Sequence, residues 1–130
     1  MATVLIVEDD QFTRKSLCEL LRDYDHRPVG VADGREALSL LESGFRPDVI
    51  VLERTMPVMD GAGFRAAQLR RPDLAKIPVV VISAAEIGSP CDDDETAAWD
   101  ILERPIPSRV LMSLIREFGA RIPPLVKASR

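Results

Sequence analysis

A chain of 130 residues is the length of one domain and can bury a substantial core. Apolar residues make up 46% and charged residues 29%, which excludes the disordered and fibrous classes, and no apolar run reaches the roughly 18 residues of a membrane helix. The net charge is −4, and the acid run at 92–95 accounts for all of that excess, leaving the rest of the chain near balance.

The opening "MATVLIVEDD" has no basic leader and too short an apolar run for a secretory signal, so a cytoplasmic protein is expected. Within it, "TVLIV" at 3–7 is apolar at consecutive positions, as a strand buried on both faces must be, and acids follow at once. Over 11–24, Phe12, Ser16, Leu17, Leu20, Leu21 and Tyr24 form a helical stripe, with Asp10 placed to cap it. A weaker strand, "RPVGVA" at 27–32, comes next; the lone His26 before it has no acid or nucleophile patterned nearby and receives no role. Over 34–43, Ala37, Leu38, Leu40 and Leu41 follow Asp33 and stop at Gly44, a natural helix end. "DVIVL" at 48–52 is a third strand. Phe64, Ala67 and Leu69 mark a third helix that must end before Pro72. The basic residues Arg65, Arg70, Arg71 and Lys76 read as its solvated face and exit loop. No helix-turn-helix or zinc-finger spacing lies beside them, so direct nucleic-acid binding is not expected. "PVVVI" at 78–82 is a fourth strand and "WDILE" at 99–103 a fifth. Between them, "EIGSPCDDDET" carries Gly, Pro and three Asp, so the fourth helix is expected to be short or irregular. A last helix over 107–118 opens with Pro107 and aligns Val110, Leu111, Leu114, Ile115 and Phe118. The remainder, 120–130, reads as a short tail without an effector domain. Cys18 and Cys91 match no metal-ligand spacing and no disulfide framework and read as free thiols.

Strict alternation of strand and helix argues for a flavodoxin-like, doubly wound α/β fold, a parallel sheet covered on both faces. For five strands the expected order is 2-1-3-4-5, with any site at the carboxyl ends of strands 1 and 3, where the winding reverses. Glu8, Asp9, Asp10 and Glu53 should face one another there. Such a cluster of carboxylates needs a cation, either a hard divalent ion such as Mg2+ or a basic side chain from strand 5. Strand 4 ends in Ser83 and strand 5 in Arg104, so a hydroxyl and a guanidinium should reach the same edge. Acids, a hydroxyl and a cation together describe a phosphoryl or metal site.

The acid pair in "VEDD", the stretch "ERTMPVMDG", "VVVISA" and "LERPIP" give the chain a resemblance to the receiver domain of two-component response regulators over about residues 2–119. The resemblance implies a signal-transduction role in a phosphorelay, with a histidine kinase, phosphotransfer protein or downstream effector as protein partner. It implies that Glu8 and Asp9 hold Mg2+, with Glu53 at the phosphoacceptor position, the Thr55 carbonyl as a further metal ligand and Ser83 as the switch hydroxyl. Arg104 falls on the lysine that pairs with the phosphoryl group, in an Arg104–Pro105 peptide expected to be cis. The signalling face would include Ile101, where the family often has an aromatic, and Trp99, which otherwise packs at a strand entrance.

Two departures are chemically decisive. Glu53 is one methylene longer than the family's Asp, and a displacement of roughly 1 Å can cost ~100-fold in an in-line attack. Arg104 replaces Lys with a planar group that binds a carboxylate through two parallel hydrogen bonds and does not lose its proton. The first reading is therefore a stand-alone, non-enzymatic interaction module with impaired or absent aspartyl phosphorylation, in which an ion pair between Glu53 and Arg104 replaces the Mg2+-phosphoryl network. A phosphoaccepting receiver carrying a phosphomimetic Glu53 explains that residue but neither Arg104 nor Ile101. A flavodoxin-like ligand-binding module has no Gly-rich phosphate loop after strand 1 to support it.

Overall fold

The structure, a computed structural model, describes residues 1–83 and 100–119. Five strands, β1 (Thr3–Val7), β2 (Arg27–Val31), β3 (Val49–Glu53), β4 (Val79–Ser83) and β5 (Asp100–Glu103), run parallel in the order β2-β1-β3-β4-β5. The order expected from the alternation of apolar runs and helical stripes is the one formed. Consecutive apolar residues make up β1, β3 and β4 because these strands occupy the middle of the sheet and are covered on both sides. Residues 4–7, 49–52 and 79–82 are all at most 2% exposed. The edge strands β2 and β5 carry a weaker apolar signal, since β2 has no fully buried residue and β5 only Leu102.

Among the described residues, five helices cover the strands: α1 (Gln11–Asp23), α2 (Gly34–Glu42), α3 (Gly61–Leu69), α4 (Pro72–Ala75) and α5 (Ser108–Gly119). Side chains alternate between faces along a strand, and this divides the core in two. Val4, Ile6, Val49, Val51, Val80, Ile82 and Leu102 meet Leu17 and Leu21 of α1 and Leu111, Ile115 and Phe118 of α5. Leu5, Val7, Ile50, Leu52, Val79 and Val81 meet Ala37 and Leu41 of α2, Phe64 of α3 and Leu74 of α4.

The helix ends obey their caps. Asp10 accepts hydrogen bonds from the Thr13 N–H (2.8 Å) and hydroxyl (2.6 Å), and Asp33 accepts one from the Glu36 N–H (2.9 Å). After α2, Gly44 adopts φ 110°, the left-handed conformation that glycine tolerates best.

The buried stripes are narrower than the apolar patterns. In α1, Leu17 and Leu21 are buried, but Ser16 is exposed, Phe12 is 78% exposed and Tyr24 48%. On α5, Val110 faces outward and Met112 inward. The largest correction is in α3. Leu69 is exposed, while Arg65 and Gln68 are buried, so Arg65 does not belong to a solvated face. The cause lies in α4, a single turn opened by Pro72 that no periodicity announces. Gln68 Nε2 donates to the carbonyls of Leu74 (2.8 Å) and Ile77 (3.2 Å), and Arg65 Nη1 donates to Gln68 Oε1 (2.7 Å). Buried carbonyls need donors, and a polar pair in the core supplies them. The expected fourth helix, Cys91, Trp99 and the 120–130 tail lie outside the described residues.

His26 has a structural role that its sequence surroundings do not announce. Its Nδ1 accepts a hydrogen bond from the Ala2 N–H at 3.0 Å, an arrangement that requires the neutral ring. Burial holds its pKa below the ordinary value; the Met1 amino group and Arg116 add to this, against an opposing effect of Asp25. An unfolded histidine takes up its proton near pH 6.5, so below that pH the unfolded chain binds more protons than the folded one. This contribution to stability is fully present above pH ~6.5 and is lost as the pH falls through the lower folded value. His26→Asn is expected to flatten the fall in Tm between pH 7 and pH 5; thermal melts of the two proteins with parallel pH profiles would refute the assignment.

Candidate functional site

The site follows from strand alternation and strand order. Glu8 comes two residues after Ile6, Glu53 two after Val51, and Arg104 two after Leu102, so all three continue the sheet face that carries α1 and α5. Each stands at a carboxyl strand end, and backbone bonds just beyond the strands fix those ends. The Glu8 N–H donates to the Val31 carbonyl (3.1 Å), the Arg54 N–H to Ile82 (2.9 Å), and the Arg104 N–H to Ser83 (3.1 Å). The Arg104–Pro105 peptide is cis.

At the centre, one nitrogen of Arg104, Nη2, donates both to Glu8 Oε1 at 2.6 Å and to Glu53 Oε1. The outer oxygens are held as well: Glu8 Oε2 accepts from the Asp10 N–H (3.1 Å) and Glu53 Oε2 from the Thr55 N–H (3.3 Å). Glu8 is 3% exposed and Glu53 7%, whereas the Arg104 side chain is 31% exposed, so two buried carboxylates look out onto one guanidinium. Arg14 Nη1 closes the back of the site by donating to the Glu8 carbonyl at 2.8 Å. The two-bond fork onto a single carboxylate is not what forms. With two acids facing the same cation, each takes one hydrogen bond.

Burial pushes the Glu8 carboxyl above its usual range; the charge of Glu53 and the neighbouring Asp9 push the same way, while the Asp10 N–H and Arg104 oppose them. For Arg104, burial acts to lower the pKa, but the hydrogen bonds to Glu53 and Glu8 outweigh it and hold the guanidinium above its ordinary value. The cation is permanent.

The other residues singled out from sequence divide around this triad. Thr55 contributes its N–H to Glu53. Asp9 is exposed beside Glu8. Ser83 is buried at the end of β4, in line with Val79 and Val81 and so toward the opposite face of the sheet. Ile101 is half-buried and packs on the α2–α4 side of the core. Arg14 was missed, because an arginine near the start of a helix gives no signal that it will turn back to a strand-end carbonyl.

Gly61 sets the height of the strand end that carries Glu53. Its N–H donates to the Arg54 carbonyl (2.9 Å), and a Cβ there would lie 3.0 Å from Arg54 Cα and 3.1 Å from the carbonyls of Arg54 and Glu53. Backbone cannot yield as a side-chain tip can. Gly61→Ala is expected to cost about 1–3 kcal/mol by chemical denaturation, the usual range for overpacking; an unchanged midpoint would show that the loop has room to move.

A doubly wound five-stranded sheet, with acids after its first and third strands and a basic residue after its fifth, defines a receiver. The chain belongs to the response regulator receiver domain family, whose model matches residues 4–116. It is 32% identical over 123 residues to the transcriptional regulatory protein AfsQ1 of Streptomyces coelicolor, which aligns with 89% of this chain and 50% of that protein, so the chain spans half the length of this relative. Among solved structures, the signal receiver domain of a signal transduction histidine kinase from Syntrophus aciditrophicus superposes with a TM-score of 0.83 at 30% identity, covering 92% of this chain and 91% of that one. The receiver domain of the sensor histidine kinase PA1611 from Pseudomonas aeruginosa, which has a magnesium ion coordinated in its active site cleft, superposes with a TM-score of 0.83 over 92% of this chain and 98% of that one. At 21% identity this second match shows the shared fold alone.

The family implies Mg2+, and the residues here do not fit it. Mg2+ requires near-octahedral oxygen ligands at roughly 2.0–2.1 Å. All four carboxylate oxygens of Glu8 and Glu53 already accept hydrogen bonds from the protein, two of them from a guanidinium. Among the described residues no three His, Cys, Asp or Glu side chains converge as a metal-binding group. Nor, among those residues, is any helix long and apolar enough to cross a membrane.

Proposed function

We propose that this receiver is an atypical one, a signalling protein-interaction module in which phosphorylation at position 53 is impaired or absent. The observation that carries the reading is the Arg104 guanidinium seated against both Glu8 and Glu53. In-line attack on phosphorus needs a free carboxylate oxygen in register with the donor and a counter-charge for the leaving group. Here Glu53 Oε1 is engaged by Arg104 and Oε2 by the Thr55 N–H, and its extra methylene moves both from where an aspartate would hold them.

The module's partner is a histidine kinase, a phosphotransfer protein or a downstream effector, met in the cytoplasm, with no direct contact to nucleic acid or membrane and no enzymatic activity of its own. Incubation of the whole chain with Mg2+ and acetyl phosphate, followed by intact-mass measurement, tests the proposal. No phosphoryl-sized adduct is expected; an adduct mapping to Glu53 overturns it.

A further inference from the structure

We propose that Arg104 is the resident cation of this receiver: its guanidinium takes the place between Glu8 and Glu53 that a divalent ion would otherwise fill, so that the site is assembled without metal and is closed to it. The inference deepens the reading above and rests on it.

Three observations converge. The first is geometric, since a single nitrogen spans carboxylates from the ends of β1 and β3, as a metal ion bridging two ligands does. The second is the state of the donors. Glu8 Oε2 and Glu53 Oε2 accept from the backbone N–H groups of Asp10 and Thr55, and the remaining two oxygens are the ones that Arg104 holds. The third is burial: both acids are less than 10% exposed, so a fully hydrated ion has little of either carboxylate to contact. Mg2+ gives up its water reluctantly, and here it would have to expel a cation and then remain beside it. Asp9, exposed at the rim, offers one further carboxylate, too little to offset that repulsion.

The strand ends are consequently tied together by a covalently attached charge. Arg104 follows β5, Glu8 follows β1 and Glu53 ends β3, and their association does not depend on magnesium concentration. A partner that recognises this edge of the sheet meets the same surface with or without metal.

Titration with Mn2+, a paramagnetic stand-in followed by water-proton relaxation, decides the matter. The wild-type protein is expected to bind no ion below the millimolar range, and Arg104→Met, verified as folded by circular dichroism, to bind one at least tenfold more tightly. Sub-millimolar binding by the wild type overturns the inference, and so does a folded Arg104→Met that binds no better. Should that variant fail to fold, the wild-type titration decides alone. A wild type that binds Mn2+ yet takes no phosphoryl group from acetyl phosphate would sink this inference and leave the proposed function standing; phosphoryl uptake at Glu53 would sink the proposed function itself.

Discussion

Replacing Arg104 by Met is expected to lower the stability of the domain by about 3 kcal/mol in metal-free buffer at pH 8, read from the midpoint of a denaturant titration. Removing one partner of a buried ion pair typically costs about 3–5 kcal/mol, because the remaining charge stays out of water without compensation. Here two charges are stranded, Glu8 and Glu53, both buried, while the lost partner is 31% exposed, so water softens the effect and the lower end of the range applies. The pH dependence has a definite sign. Burial already raises the Glu8 pKa, and loss of Arg104 raises it further, so the folded variant takes up protons more readily than its unfolded chain. Its stability therefore increases as the pH falls through the folded value, and the gap to wild type narrows toward pH 5. Adding Glu8→Gln should recover part of the loss at pH 8. A deficit below about 1 kcal/mol at pH 8 would mean that the pair behaves as an ordinary solvated surface bridge.

The parts legible in the sequence were those imposed by repeating geometry. Buried parallel strands must be apolar at every position, so β1, β3 and β4 declare themselves, and strict alternation with helices leaves few ways to order them. The same order places residues 8, 53 and 104 at one edge, and the period of two puts them on one face. What was not legible depends on single side chains answering backbone needs. Gln68 turns inward to donate to the carbonyls of Leu74 and Ile77, and Arg65 donates to it in turn; both are residue types expected on a helix surface. Phe12 is a core residue by type and is exposed. In the site, sequence pointed to a Glu53–Arg104 pair but not to the sharing of one nitrogen with Glu8. That sharing is set by the relative height of three strand ends, which the register fixes and no motif spells out.

The reversal Glu53→Asp with Arg104→Lys is expected to restore phosphoryl uptake from acetyl phosphate in the presence of Mg2+, at least ~100-fold faster than wild type, since that is the order of the penalty for misplacing a nucleophile by about 1 Å. Neither change alone should suffice. With Glu53→Asp only, Arg104 keeps its bond to Glu8 and remains between the strand ends; with Arg104→Lys only, the Glu53 side chain is still too long for in-line attack. Lysine differs from arginine here in shape: a point charge on a flexible stem can pair with a phosphoryl oxygen and leave both carboxylates open, which a rigid guanidinium with one nitrogen held between them cannot. The two residues touch, so their effects should be strongly non-additive, and comparison of the four proteins in a double-mutant cycle measures the coupling. Intact mass gives the extent of labelling, and cleavage of the adduct by hydroxylamine identifies an acyl phosphate. A folded double variant that remains unlabelled would move the defect away from the pair, to the acids after β1, where Glu8 stands buried with one oxygen committed to the Asp10 N–H and Asp9 lies at the rim.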